Sequence, residues 1–245
     1  METIRLDKFL SSQLNISRTD AKKLLRQGGV LVNSIIAKKA DAAINPQTDK
    51  VSVNGNVIEY KKHIYIMLNK PKGIVSATTD GRDKTVIDIL PDKLKRSGLF
   101  PAGRLDKDTT GFTLITDDGE FAHNILSPSH HVKKTYIVEV GRKVTEDEMK
   151  RFIDGMMIGD ELFKPAQLRF MSENADTGNF QYEIKIIEGR YHQIKRMFAS
   201  VSNPVLELTR TAIGGLELDT GLNPGEAREI TKKELDKITE KKNIN

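Results

Sequence analysis

The chain has no cysteine, no tryptophan and only five histidines among its 245 residues. Without cysteine there is no disulfide framework, no thiolate nucleophile and no thiolate zinc site, so nothing points to an oxidising compartment. No apolar run approaches the roughly 18 residues that a membrane-spanning helix requires. "METIRLDKFLSSQL" carries charges where a signal peptide needs an apolar stretch. A soluble, cytoplasmic protein with no membrane contact is the expectation. No His-x-x-x-His or carboxylate-plus-histidine spacing builds a metal site, and no glycine-rich loop of the dinucleotide or Walker type occurs. Neither a metal nor a nucleotide cofactor is therefore expected, and chemistry is left to carboxylates, tyrosines and bases.

Present instead is an excess of basic charge: 39 Lys and Arg against 34 Asp and Glu give a net charge of +5. Such a balance favours a polyanionic partner. It is uneven along the chain, because the first sixty residues hold nine basic and six acidic side chains. There Leu6, Phe9, Leu10 and Leu14 fall on one helical face. Ser17 then opens a second helix with Asp20 three residues on, and Gly28-Gly29 ends it. Ala21, Leu24 and Leu25 share one side of that helix, whereas Arg18, Lys22, Lys23 and Arg26 share the other. A solvated face is the ordinary reading of such a cluster. Short β-branched pieces follow, "VLVN" and "VSVNGNVIEY", the latter with the two-residue turn signal Asn54-Gly55. Two helices and a small sheet with one basic side make a docking module. The stretch "RLDKFLSSQLNISRTDAKKLLRQGGVLVNSIIAKKA" resembles the small S4-like RNA-binding domain shared by a small-subunit ribosomal protein and the tail of tyrosyl-tRNA synthetases. The resemblance implies RNA contacts from Arg5, Arg18, Lys22, Lys23 and Arg26.

After the linker "EYKKH" a second unit begins at "IYIMLNKPKGIVSATTD". Strands are predicted at "FTLIT", "TYIVEV", "QYEIKII" and "PVLELT", and helices at "DGEFAHNIL", "TEDEMKRFID" and "YHQIKRMFASV". The fold class expected is α+β: residues 60–245 form a domain with a mixed, mostly antiparallel sheet flanked by helices, and residues 1–59 form a small α/β RNA-binding domain. The tail "TKKELDKITEKKNIN" reads as a helix or a frayed end.

Among carboxylates, Asp106 in "GRLDKDTTG" lies between Arg104 and Lys107, ahead of Thr109, Thr110 and Gly111, and its ordinary reading is a turn aspartate. In "EGRYHQIKRMF", Arg190, Lys195 and Arg196 crowd a helix start that also holds His192 and Gln193. An opposite charge within ~4–6 Å lowers an aspartate pKa by about 1–3 units, so a base from this segment would keep a neighbouring carboxylate ionised.

"GRLDKDTTGFTLITDDGEFAH", "KKTYIVEV" and "EGRYHQIKRMF", in that order behind the basic module, resemble the ribosomal RNA pseudouridine synthases that act on single sites. The likeness extends through "LTRTAIGGLELD" and "LNPGEAREI", nearly the whole chain. "YHQIKRMF" is more similar to the small-subunit enzyme than to its large-subunit relatives. "GFTLIT" departs from the family's usual leucines, conservatively. The resemblance implies Asp106 as the catalytic aspartate, Tyr136 as the active-site aromatic and Lys195 as the basic partner, with Arg104, Arg190, His192, Gln193 and Arg196 binding substrate. It implies isomerisation of one uridine of 16S rRNA, usually uridine 516 in the family, during small-subunit assembly. The expected partner is 16S rRNA or a partly assembled small subunit, and a monomer is expected. The reaction breaks the bond from N1 to C1′, turns the base and rejoins it through C5. No atom enters or leaves, so the implied chemistry needs no metal, nucleotide or thiol. Asp106 serves either as nucleophile at C1′ or as the base that lets the glycosidic bond eliminate. Three alternatives stand beside this reading: a synthase acting on 23S rRNA, a non-catalytic RNA-binding assembly factor, and a metal-dependent nuclease on Asp106, Asp108, Asp117 and Asp118. The last is weakened because Asp117 and Asp118 read as helix caps.

Overall fold

The computed structural model describes residues 3–127, 130 and 132–239. Packing divides the chain into two compact units at Ile64/Tyr65, with the segment Lys95–Leu99 returning to the first. In that segment Arg96 donates to the carbonyls of Lys61 and Lys62 at 2.9 and 3.0 Å.

The first unit runs β1 (Ile4–Arg5), α1 (Leu6–Leu14), α2 (Arg18–Arg26), β2 (Val30–Val32), β3 (Ile35–Ile36), β4 (Ala43–Ile44), β5 (Val51–Val53) and β6 (Asn56–Ile58). β3-β2-β5-β6 form an antiparallel sheet, and β1 pairs with β4. The apolar stripes of the helices close on this sheet: Leu6, Phe9, Leu10, Ala21 and Leu25 are buried with Val30, Ile44, Val51 and Val53. Ser17 caps α2 by accepting from the Asp20 amide at 3.0 Å. Asn54 and Gly55 both take positive φ, 49° and 83°, as the tight β5–β6 hairpin demands. Arg18, Lys22, Lys23 and Arg26 are exposed. Arg5 is committed locally, with its Nε and Nη2 donating to the buried Asp7 carboxylate at 3.0 and 2.9 Å.

The second unit comprises β7 (Tyr65–Lys70), β8 (Phe100–Pro101), β9 (Thr110–Thr116), α3 (Gly119–Leu126), β10 (Lys134–Val140), α4 (Glu146–Asp154), β11 (Met156–Ile158), β12 (Glu161–Phe163), β13 (Gln167–Glu173), β14 (Phe180–Ile186), α5 (Gln193–Ala199), β15 (Val205–Ile213), β16 (Leu216–Glu217), β17 (Ala227–Glu229) and α6 (Lys232–Thr239). The sheet order is β13-β14-β10-β15-β9-β7-β17, with β16 added to β15 and β8 to β9. All its pairings are antiparallel except β15 with β9, so the sheet is mixed and mostly antiparallel. Where those two strands meet, Gly111 (φ +96°) lies so close to Arg210 that a Cβ would come within 2.3 Å of its carbonyl oxygen. Glycine is therefore required there.

Alternation in β10 sends Tyr136, Val138 and Val140 to one face, where they pack with Phe152 of α4 and with Ile194, Met197 and Phe198 of α5. A second core joins Met67, Phe112 and Leu114 to Ala122 and Ile125 of α3 and Ile238 of α6. α3 begins at Asp118, whose carboxylate accepts from the Phe121 amide at 3.0 Å and from the Tyr65 hydroxyl at 2.6 Å. That aspartate is thus a cap. Among the described residues no three His, Asp or Glu side chains converge as metal ligands, and no helix is long and apolar enough to cross a membrane. Of the charged tail, residues 240–245 lie outside the described part.

Candidate active site

The segment Gly103–Thr110 approaches β9 with Leu105 driven into the core, its amide donating to the buried Ser76 hydroxyl at 3.1 Å. Anchoring one residue in an extended stretch turns its two neighbours the other way. Arg104 and Asp106 therefore reach the same cleft. Asp106 also opens a turn, its carbonyl accepting from the Thr109 amide at 3.1 Å. The turn reading and the site reading of this aspartate hold together.

Beneath the turn lies Lys70, the last residue of β7 and fully buried. Its ammonium donates to the carbonyls of Pro71 and Lys107, both at 3.2 Å, and of Thr109 at 2.8 Å. Burial pushes its pKa down to about 8, although the charges of Asp108 and Asp106 pull the other way. Nothing in the sequence singles this lysine out beyond its place ahead of Pro71.

The opposite wall is built where β14 runs into α5. Gln193 is buried, donating to Glu188 at 2.9 Å while its carbonyl oxygen accepts from the Arg190 amide at 3.2 Å. Glu188, also buried, accepts from the Lys164 amide at 2.9 Å and faces the Arg190 guanidinium at 3.4 Å. This network fixes the bend in which His192 adopts φ 50°, ψ 31° ahead of α5.

Out of that bend, Lys195 Nζ reaches Asp106 Oδ2 at 3.2 Å and Asp108 Oδ1 at 2.6 Å, and His192 Nε2 stands 3.3 Å from Asp106 Oδ1. Burial alone would lower Lys195. The hydrogen bonds and charges of Asp108 and Asp106 outweigh it and hold the ammonium above its usual pKa. Its hydrogen bond to Lys195 in turn lowers the pKa of Asp108, the nearer but more exposed carboxylate. Tyr136, 8 % exposed, contributes to the lining from β10.

Asp106, Tyr136, Lys195, Arg104, Arg190, His192 and Gln193 thus line one cleft. Arg196 does not. One residue further round α5 than Lys195, it pairs with Glu161 at 2.5 Å and lies over the Phe163 ring at 4.7 Å. Gln193 lines the cleft, but its amide is occupied by Glu188 and Arg190.

Residues 64–200 match the RNA pseudouridylate synthase family and residues 4–49 the S4 domain. The chain belongs to the RNA pseudouridine synthases. The synthase is 42% identical to ribosomal small subunit pseudouridine synthase A of Escherichia coli over 95% of this chain and 98% of that one. It is 41% identical to an uncharacterized RNA pseudouridine synthase of Bacillus subtilis, over 97% and 99%. A pseudouridylate synthase of known crystal structure is 37% identical, covering 96% of this chain and 99% of its own, with a TM-score of 0.64. A synthase must free uracil from C1′, rotate it and rejoin it through C5. Here a carboxylate flanked by an ammonium and an imidazole stands beside a tyrosine ring, in a cleft open to solvent.

Proposed function

We propose that this synthase isomerises one uridine of 16S rRNA, with uridine 516 as the expected position, while the small subunit is being assembled, and that it works as a monomer in the cytoplasm. One observation carries the assignment of roles: Asp106 sits between Lys195 and His192 in the cleft that Tyr136 lines. The 42% identity with the Escherichia coli small-subunit enzyme over nearly the whole chain supports the choice of substrate.

In this reading Asp106 either attacks C1′ or takes the proton whose loss lets the glycosidic bond eliminate. Each of its oxygens accepts several hydrogen bonds, so Lys195 and His192 can hold the carboxylate while an oxygen still faces the sugar. The uridine must leave its stack at a cost of a few kcal/mol. Tyr136 gives the detached base a flat surface on which to turn. Its hydroxyl is a candidate for proton removal at C5. Arg104, exposed and without an ion pair among the described residues, either binds a phosphate or fills the gap left by the flipped base. In the first unit, Arg18, Lys22, Lys23 and Arg26 contact phosphates around the target. Arg5 is bound by the Asp7 carboxylate, which cancels its charge, and so serves the fold of this unit more than RNA.

The test is to incubate the protein with unmodified 16S rRNA, with a partly assembled small subunit and with 23S rRNA, and to map pseudouridine by carbodiimide treatment and primer extension. One new pseudouridine in 16S rRNA, formed best in the particle, is expected. Product confined to 23S rRNA, or none on any RNA, overturns the proposal.

A further inference from the structure

The bend that delivers His192 and Lys195 also presents an aromatic ring that the scheme above leaves unused. Tyr191 is 76 % exposed, against 8 % for Tyr136 and 1 % for Tyr182. Its ring lies on the imidazole of His192, with centroids 3.8 Å apart and planes at 17°. His192 in turn faces Asp106 at 3.3 Å. From the cleft outward the order is Asp106, His192, Tyr191, solvent, and Tyr191 stands outside the cleft lining.

Two features show that this arrangement is imposed by the fold. His192 takes a left-handed backbone conformation, φ 50°, uncommon for a residue other than glycine although histidine tolerates it better than most. The bend is held by the buried Glu188–Gln193 pair and the bonds between Arg190 and Gln193 in both directions, at 3.1 and 3.2 Å. The Tyr191 ring is therefore carried on a fixed backbone bend, with one face against His192 and the residue 76 % exposed. Arg190, its neighbour in sequence, and Arg104 are exposed and line the adjoining cleft. A flat aromatic face beside cations is what a base and its phosphate require, because stacking tolerates any base and the charges hold the backbone.

We propose that Tyr191, on the face away from His192, stacks the base of a nucleotide flanking the target uridine, so that the strand is pinned beside the cleft while the uridine enters it. This rests on the reading of the cleft as the uridine-isomerising site. Tyr136 then serves the reacting base and Tyr191 its neighbour. Because Tyr191 acts on substrate already outside the cleft, its removal loosens binding and spares the chemical step.

The experiment compares wild type, Tyr191→Phe, Tyr191→Leu and Tyr191→Ala on whichever ribosomal RNA or particle the wild type modifies. In parallel, Tyr191 is replaced by the photo-cross-linker benzoylphenylalanine. Tyr191→Ala is expected to raise KM about 5- to 150-fold, the change equivalent to ~1–3 kcal/mol of base stacking. Tyr191→Leu should behave similarly, Tyr191→Phe should match wild type, and kcat should stay within about twofold throughout. The cross-link should stop primer extension at a nucleotide next to the pseudouridine. An unchanged KM in Tyr191→Ala, a loss confined to kcat, or a cross-link away from the modified site overturns the proposal. Should the wild type modify 23S rRNA instead, the choice of substrate fails, and the same KM comparison on that RNA still decides the role of Tyr191.

Discussion

Replacing Lys70 with Met removes a fully buried cation from beneath the turn that carries Asp106. Burial lowers its pKa from 10.5 to about 8. At 1.36 kcal/mol per pH unit, the difference 10.5 − 8 corresponds to about 3 kcal/mol. Between those two values the unfolded chain keeps a proton that the folded chain has lost, so stability rises with pH through this window, whereas below pH 8 the cost of burying the charge is present in full. Met titrates in neither state. The wild type should therefore gain about 2–3 kcal/mol on Lys70→Met between pH 7 and pH 10. Lys134, lowered by burial to about 8 as well, contributes to both proteins and cancels in the difference. At pH 7 the relief of about 3 kcal/mol is set against the carbonyls of Pro71 and Thr109, which lose their donor at about 1–3 kcal/mol each, whereas that of Lys107 keeps the Gly73 amide at 2.9 Å. The two nearly balance, and the variant should be less stable by only about 1 kcal/mol at pH 7. Since two of those carbonyls, Lys107 and Thr109, belong to the Asp106 turn, kcat should also fall, by about 10- to 100-fold. Urea unfolding followed by circular dichroism at pH 7 and pH 10 measures the first effect and single-turnover pseudouridine formation the second. Parallel stability curves for the two proteins from pH 7 to pH 10 would refute the reasoning.

Three further sets of variants probe the cleft and the basic face. Lys195→Met removes the contacts to both Asp106 and Asp108 and should cut the single-turnover rate by about 10²- to 10³-fold, with Lys195→Arg recovering part of it; a near-wild-type rate in the Met variant would show that the ammonium is not needed. Tyr136→Phe keeps the stacking ring and should stay far more active than Tyr136→Leu, whereas equal losses in the two would place the chemistry on the hydroxyl. Lys22, Lys23 and Arg26 changed together to Ala should weaken RNA binding and flatten its salt dependence by about 0.7 to 0.9 in log–log slope per lost phosphate contact; unchanged affinity and slope would mark that helix face as merely solvated.

The parts legible in the sequence are those written in local pattern. The Leu6, Phe9 and Leu10 stripe, the Ser17 cap and the Asn54-Gly55 turn appear in the structure where the periodicity and turn chemistry put them. β13 was not legible, because it is an edge strand whose residues are nearly all exposed, so burial imposes no alternation on it. The return of Lys95–Leu99 to the first unit depends on contacts to Lys61 and Lys62 more than thirty residues away. In the site, adjacency in sequence misled. Lys195 and Arg196 look alike in "QIKRMF", yet a helix turns about 100° per residue, sending the first to Asp106 and the second to Glu161. Lys70 and Glu188 carry no sequence mark, because a buried charge is explained only by the carbonyls and amides that the fold brings to it.

The most direct test of the account is Asp106→Asn, which keeps the shape of the side chain and removes its charge. Pseudouridine formation on 16S rRNA and on a partly assembled small subunit, followed to single-turnover sensitivity, should be abolished while RNA affinity and the urea unfolding midpoint stay close to wild type. Pseudouridine formed at a near-normal rate by the Asn variant would contradict the assignment of Asp106 and with it the mechanism.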